Sequence, residues 1–218
     1  MFETVIFDWD GTLGDTRRVI VISFQKALGE INVKVSKDFI ERRIGIGAAE
    51  TIREVLRSAK FEFDEKLVER LVLRKSELEI ELTSGNELFG GARELLEALQ
   101  GKVKLGLASM NNRSVIIHML KANGVYDCFD VFLTAESISR SKPDPEIFLK
   151  TASELKSKPE RCVVFEDSIF GVKAAKSAGM ACVAVTTGVY SKDELEKEEP
   201  DLVVDSLKDH RILDFVVC

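Results

Sequence analysis

Thr4-Val5-Ile6-Phe7-Asp8-Trp9-Asp10-Gly11-Thr12 is the stretch on which the organisation of the chain turns. Its first half is apolar and rich in β-branched residues, the composition of a short buried strand. The run stops on two carboxylates, Asp8 and Asp10, and a Gly-Thr turn follows. Side chains alternate along a strand, so these two leave it on the same side and can point into one cleft at the open end of a sheet. Two carboxylates about 4 Å apart repel by roughly 4 kcal/mol at an effective dielectric near 20. Such a pair persists beside a positive charge, or with one carboxyl protonated.

Beyond that stretch the rhythm of the sequence changes twice. Gly14-Asp15-Thr16 is placed to cap a helix in which Val19, Ile20, Phe24, Ala27 and Leu28 recur at helical spacing up to Gly29. Residues 36–83 keep a helical period, with Ile52, Val55 and Leu56 marking one helix and Leu67, Val68, Leu71, Val72 and Leu78 another. Thr83-Ser84-Gly85-Asn86 ends that pattern. From Gly90 onward helices alternate with strands. Strands are expected at 103–108, 130–133, 162–165, 183–185 and 202–204. Helices are expected around 91–100, across Ile116, Met119 and Leu120, after Asp144-Pro145 with the aspartate as cap, and after Ser168 as far as Gly179. Near-continuous apolar strands alternating with helices predict an α/β fold, a Rossmann-like parallel sheet covered on both faces. The expected division is an α/β core from residues 1–14 and 86–218, with an inserted all-helical domain at 15–85.

The chain has 218 residues, 45% hydrophobic and 31% charged, and a net charge of −6. That acidic balance, with no basic cluster to offset it, argues against nucleic acid or an anionic membrane surface as partner. No apolar run reaches the length of a membrane span, and no secretory signal is recognisable at the start. Cys128, Cys162, Cys182 and Cys218 have no paired spacing. They read as reduced thiols, which suits a cytoplasmic protein.

Ligands of open parallel sheets bind beyond the carboxyl ends of the strands. Three predicted strands end there in polar groups: Asp8 and Asp10, Ser109, and Glu166 with Asp167. Four carboxylates without a neighbouring His or Cys point to a hard, oxygen-seeking cation, for which Mg²⁺ is the expectation. Ser109 and the amides of Met110 and Asn111 are placed to receive a phosphate ahead of a helix. Lys142, in Ser141-Lys142-Pro143-Asp144-Pro145, offers a fixed positive charge from a loop. Together these describe a site for phosphoryl transfer, in which positioning and charge neutralisation supply most of the catalysis. Trp9 is expected to pack rather than react. His118, opposite its helix's apolar stripe, is expected to be exposed, and neither it nor His210 is a candidate for catalysis.

The same residues resemble a known family. Asp8-Trp9-Asp10-Gly11-Thr12 looks like the first motif of the haloacid-dehalogenase-like phosphotransferases, Leu107-Ala108-Ser109 the second and Lys142-Pro143-Asp144-Pro145 the third. Phe165-Glu166-Asp167-Ser168, followed by Gly171-Val172 and Ala174-Ala175, resembles the fourth. All four occur in the family's order, and the helical insert after the first resembles the cap of the subfamily that contains phosphoglycolate phosphatase and β-phosphoglucomutase. The resemblance implies that Asp8 attacks phosphorus and becomes an aspartyl phosphate. It implies that Asp10 protonates the leaving alcohol and later deprotonates the hydrolytic water. Mg²⁺ would be held by Asp8, the carbonyl of Asp10, Asp167 and Glu166. Phosphate and substrate contacts are expected at Gly11, Thr12, Ser109, Met110, Asn111 and Lys142, and at Gly45 and Gly47 of the cap loop.

Function is therefore expected to be Mg²⁺-dependent hydrolysis of a small phosphorylated metabolite, of the sugar-phosphate or phosphoglycolate type, by a monomer. Hexose-phosphate mutase is the alternative. In β-phosphoglucomutases the matching loop carries an arginine for the distal phosphate, whereas here Ala48 stands in its place. A non-catalytic phosphometabolite-binding protein is the remote alternative.

Overall fold

The strand at the head of the chain becomes the third strand of a six-stranded, all-parallel sheet. In the computed structural model, which describes residues 1–85 and 87–217, β1 (Thr4–Phe7) lies between β2 (Lys104–Ala108) and β4 (Cys162–Glu166). The full order is β3-β2-β1-β4-β5-β6, with β3 at Val131–Leu133, β5 at Ala181–Val185 and β6 at Leu202–Val204. Register aligns Phe7 with Leu107 and with Phe165, so the residues that follow all three strands emerge along one edge.

The period of two along each strand sorts the core into two layers. Val5, Phe7, Leu105, Leu107, Val163, Phe165, Val183 and Val185 face one side. There they meet α5 (Ala92–Leu99), α6 (Arg113–Ala122) and α10 (Arg211–Val217). Ile6, Ala108, Val164, Cys182 and Ala184 face the other, against α7 (Glu146–Glu154) and α8 (Ile169–Ser177). Small residues on α8, notably Ala174 and Ala175, let that helix lie close to the strands. Trp9 is fully buried, and its Nε1–H points at Met119 Sδ, 3.1 Å away.

Between β1 and α5 the chain leaves the sheet to form α1 (Arg17–Gly29), α2 (Lys37–Glu41), α3 (Ala48–Ser58) and α4 (Glu65–Leu82). Their apolar stripes close on one another around Ile20, Phe24, Leu28, Ile52, Leu56, Val68 and Leu71, a core separate from the two that flank the sheet. The outgoing and returning segments run side by side. Asp15 N–H donates to Glu87 O and Phe89 N–H to Leu13 O.

Several local expectations shift. The helical run across 36–83 is three helices, because loops at 42–47 and 59–64 interrupt it. Thr16 precedes α1 without capping it, since its hydroxyl donates to Asp10 instead. Pro145, not Asp144, is the boundary residue of α7, and Asp144 accepts the Glu146 amide at 3.0 Å. Ser109 does not open α6, which begins four residues later. His118 is half-buried rather than exposed. α10 had no forerunner in the sequence reading. Ser168 caps α8 as expected, accepting from Gly171 N–H. Cys128, Cys162 and Cys182 are free thiols. Cys218 and Asn86, the expected core boundary, lie outside the described residues. Among those residues no helix is long and apolar enough to cross a membrane.

Candidate active site

The carboxyl ends of β1, β2 and β4 bring the predicted polar residues to one place. Asp8 follows β1, Ser109 follows β2, and Glu166 with Asp167 ends β4; all four side chains are buried. Oxygen atoms of Asp8, Glu166 and Asp167 lie within 4.8 Å of one another. Lys142 arrives from the loop before α7, past the cis Lys142–Pro143 peptide, and is itself only 1% exposed. Its Nζ donates to Asp8 Oδ1 at 2.7 Å, to Glu166 Oε1 at 2.6 Å and to the Ala108 carbonyl at 3.1 Å.

One ammonium does not balance this much negative charge. Burial raises the pKa of Asp8 well above the ordinary value; Lys142 opposes the rise, and Glu166 and Asp10 add to it. Burial likewise raises Asp167, reinforced by Glu166 and Asp8. For Lys142, burial works against the charged form, but the carboxylates of Asp8 and Glu166 outweigh it and hold the pKa above the usual lysine range. Asp167 Oδ1 accepts from Thr12 Oγ1 at 3.2 Å, while Asp8 Oδ2 and Asp167 Oδ2 accept no hydrogen bond from the described residues. Oxygen donors only, from three buried residues crowded within 4.8 Å of one another, fit a hard divalent cation.

Asp10 shares the cleft but is held differently. Its two oxygens accept from Thr16 Oγ1 at 2.7 Å and Asn111 Nδ2 at 3.2 Å. Burial raises its pKa, with Lys75 opposing. Ser109 Oγ accepts the Asn111 amide at 3.1 Å, and the Gly11 and Thr12 amides are used within their own turn by Gly14 O and Trp9 O. Of the expected phosphate contacts, Met110, Asn111, Gly45 and Gly47 line one cleft with Asp8 and Asp10, Gly11 borders a second with Asp167, and Lys142 borders a third, while Thr12 and Ser109 line none of the three.

Gly45 and Gly47 bring the helical insert down onto this edge. Their φ angles, +108° and +94°, are strained for other residues, and a Cβ on Gly45 would stand 2.9 Å from Ser168 Oγ. Lys75 and Glu79 of α4 also reach the site, and the sequence reading missed them. They form a buried ion pair, and Asn111 bridges it to Asp10, accepting from Lys75 Nζ at 3.2 Å and donating to Glu79 Oε1 at 2.8 Å. The available signal was spacing: Lys75 and Glu79 continue the buried stripe of Val68 and Leu71, where a charged pair is out of place unless something polar faces it.

A family model described as haloacid dehalogenase-like hydrolase matches residues 5–185. The chain is similar to Beta-phosphoglucomutase of Bacillus subtilis, 30% identical over 213 residues that cover 94% of this chain and 93% of that protein. It is also similar to Phosphorylated carbohydrates phosphatase of Thermotoga maritima, 32% identical over 180 residues, 82% of each chain. Among solved structures, beta-phosphoglucomutase from Clostridium difficile superposes with a TM-score of 0.87 at 28% identity, covering 99% of this chain and 97% of that one.

Proposed function

Because the chain belongs to the haloacid dehalogenase-like hydrolases, we propose that it is a Mg²⁺-dependent phosphatase of small phosphorylated metabolites, sugar phosphates foremost. The observation that carries this reading is the convergence of Asp8, Glu166 and Asp167 within 4.8 Å around the Lys142 ammonium.

Asp8 is the nucleophile. One of its oxygens bonds to phosphorus as the ester P–O bond breaks, giving an aspartyl phosphate and an alcohol. Asp10 gives its proton to the leaving oxygen and then takes one from the water that attacks the intermediate, which returns Asp8 as a carboxylate and releases phosphate. Lys142 and Ser109 hold the non-bridging phosphate oxygens, and Thr12 keeps Asp167 in place. Asp8, Asp167, Glu166 and the Asp10 carbonyl would hold Mg²⁺, which would supply charge to offset the carboxylates and polarise the phosphoryl group. The helical insert at 15–85 serves as a cap: the loop at Gly45 and Gly47 and the face of α4 cover the cleft and keep bulk water from the intermediate. The protein acts as a cytoplasmic monomer.

Likeness to proteins named β-phosphoglucomutase favours a second reading, a hexose-phosphate mutase. Ala48, lining the cleft where that reading needs a clamp for a distal phosphate, counts against it. A screen of phosphorylated metabolites for phosphate release, with and without Mg²⁺, tests the proposal. Incubation with β-glucose 1-phosphate and a bisphosphate primer separates the two readings: free phosphate supports the phosphatase and glucose 6-phosphate the mutase.

A further inference from the structure

Beside Asp8 and Asp10 the cleft continues towards the helical insert, where a leaving group would sit. Two cations line that part, Arg43 and Lys75, and both are already engaged. Lys75 Nζ is paired with Glu79, donates to Asn111 Oδ1 at 3.2 Å and lies 5.3 Å from the centre of the Phe24 ring. Glu79 and Asn111 take two of its three ammonium hydrogens, and the Phe24 ring faces the ammonium. Arg43 Nε donates to Glu54, Nη1 donates to the Phe39 carbonyl at 3.1 Å, and the guanidinium stacks 3.5 Å from the Phe39 ring centre. The rest of that wall is mostly apolar, with Ile20, Phe24, Ile44, Ala48 and Met110 beside Thr51, whose hydroxyl donates to the Gly47 carbonyl.

We infer that this subsite takes a compact, uncharged leaving alcohol and rejects one bearing a carboxylate or a second phosphate, with Glu79 and Glu54 as the specificity-determining residues. The inference rests on the phosphatase reading and narrows it. The two cations lining this part, Lys75 and Arg43, are each paired with a carboxylate behind them, Glu79 and Glu54, while Asp8 and Asp10 line the same cleft. A second anion entering here must compete with Glu79 for Lys75 and with Glu54 for Arg43. To gain Lys75 it must part a buried ion pair and leave Glu79 buried and alone, which costs more than a surface contact returns. A hydroxyl meets no such obstacle, since Asp10 and Asn111 can exchange hydrogen bonds with it.

The test compares kcat/KM for 2-phosphoglycolate and 2-hydroxyethyl phosphate, esters of similar size that differ in a carboxylate against a hydroxymethyl group. The wild-type protein is expected to favour the neutral ester by about tenfold or more, the scale of one unmatched charge in a site. Glu79→Gln frees Lys75, and the more exposed Glu54→Gln frees Arg43 without disturbing the interior. Each is expected to move the ratio towards phosphoglycolate by about tenfold, and the ratio cancels any shared effect on Asp10. A wild-type protein that turns over phosphoglycolate as fast as the neutral ester overturns the inference and leaves the phosphatase standing, as does a ratio unmoved in Glu54→Gln. Failure to release phosphate from either ester and from p-nitrophenyl phosphate brings down the phosphatase reading, and this inference with it.

Discussion

Lys142 Nζ stands 2.7 Å from Asp8 Oδ1 across 134 positions of sequence, and the same nitrogen is 2.6 Å from Glu166 Oε1. Removing one partner of a buried ion pair leaves uncompensated charge, at a cost of about 3–5 kcal/mol. Lys142→Met should therefore destabilise the metal-free protein by about that amount, besides abolishing turnover. Denaturant unfolding at neutral pH measures it. A loss below about 1 kcal/mol would mean that the carboxylates do not depend on this ammonium.

Crowding of Asp8, Glu166 and Asp167 also predicts stabilisation by a divalent ion. A ligand at a hundredfold excess over its Kd contributes about 2.7 kcal/mol, which for a chain of this size raises Tm by about 5–10 °C. Mg²⁺ should produce that shift, and Na⁺ at matched ionic strength should not. Asp167→Asn should erase it. An equal Mg²⁺ shift in Asp167→Asn would place the ion elsewhere.

How much of this was legible beforehand depended on what each residue's neighbours in sequence revealed. Asp8, Ser109 and Glu166-Asp167 each end an apolar run, so strand periodicity alone placed them at one edge, and the register of β1 with β2 and β4 agrees. Lys142 was readable only through its motif, because nothing in a loop sequence tells a buried lysine from a surface one. Spacing puts Lys75 and Glu79 on the stripe of Val68 and Leu71, but their pairing with Asn111 depends on how α4 meets the loop after β2, which that spacing does not record. α10 is seven residues of a chain end behind Asp209-His210, too short to show a period. The Asp144-Pro145 boundary slipped by one residue because Asp144 lies inside a turn, two residues ahead of the Glu146 amide that donates to it.

Gly171 is a packing demand in the first turn of α8. A Cβ there would collide with the Glu166 carboxylate, whereas nothing lies within 4 Å of one added at Gly29. Helix propensity alone favours alanine at both by about 0.5–1 kcal/mol. Gly29→Ala should be neutral to stabilising. Gly171→Ala should cost about 1–3 kcal/mol, the usual range for overpacking, and should weaken Mg²⁺ binding through Glu166. Equal stability changes at the two sites, read by thermal unfolding, would contradict the packing described here.

The helical insert is also tied to the core by Arg42, which meets Glu194 at 2.5 Å, stacks 4.3 Å from the Tyr190 ring centre and accepts the Tyr190 hydroxyl on its carbonyl. The Arg42 hydrogen bond and the Ser191 amide lower the Glu194 pKa to about 2, from an ordinary 4.5. A depressed carboxylate contributes stability that is fully present above pH 4.5 and is lost as pH falls through about 2. The stability gap between wild type and Arg42→Ala should thus be constant from about pH 8 to pH 6 and narrow below 4.5. A gap that stays constant down to about pH 3 would remove Glu194 as the partner.

The central claim is that Asp8 carries the phosphoryl group in a site that needs a divalent ion. Phosphate release from p-nitrophenyl phosphate and from the responding metabolites should be rapid with Mg²⁺, absent in EDTA, and reduced by at least about a thousandfold in Asp8→Asn with Mg²⁺ restored. Sustained release by Asp8→Asn, or by wild type stripped of metal, would contradict it.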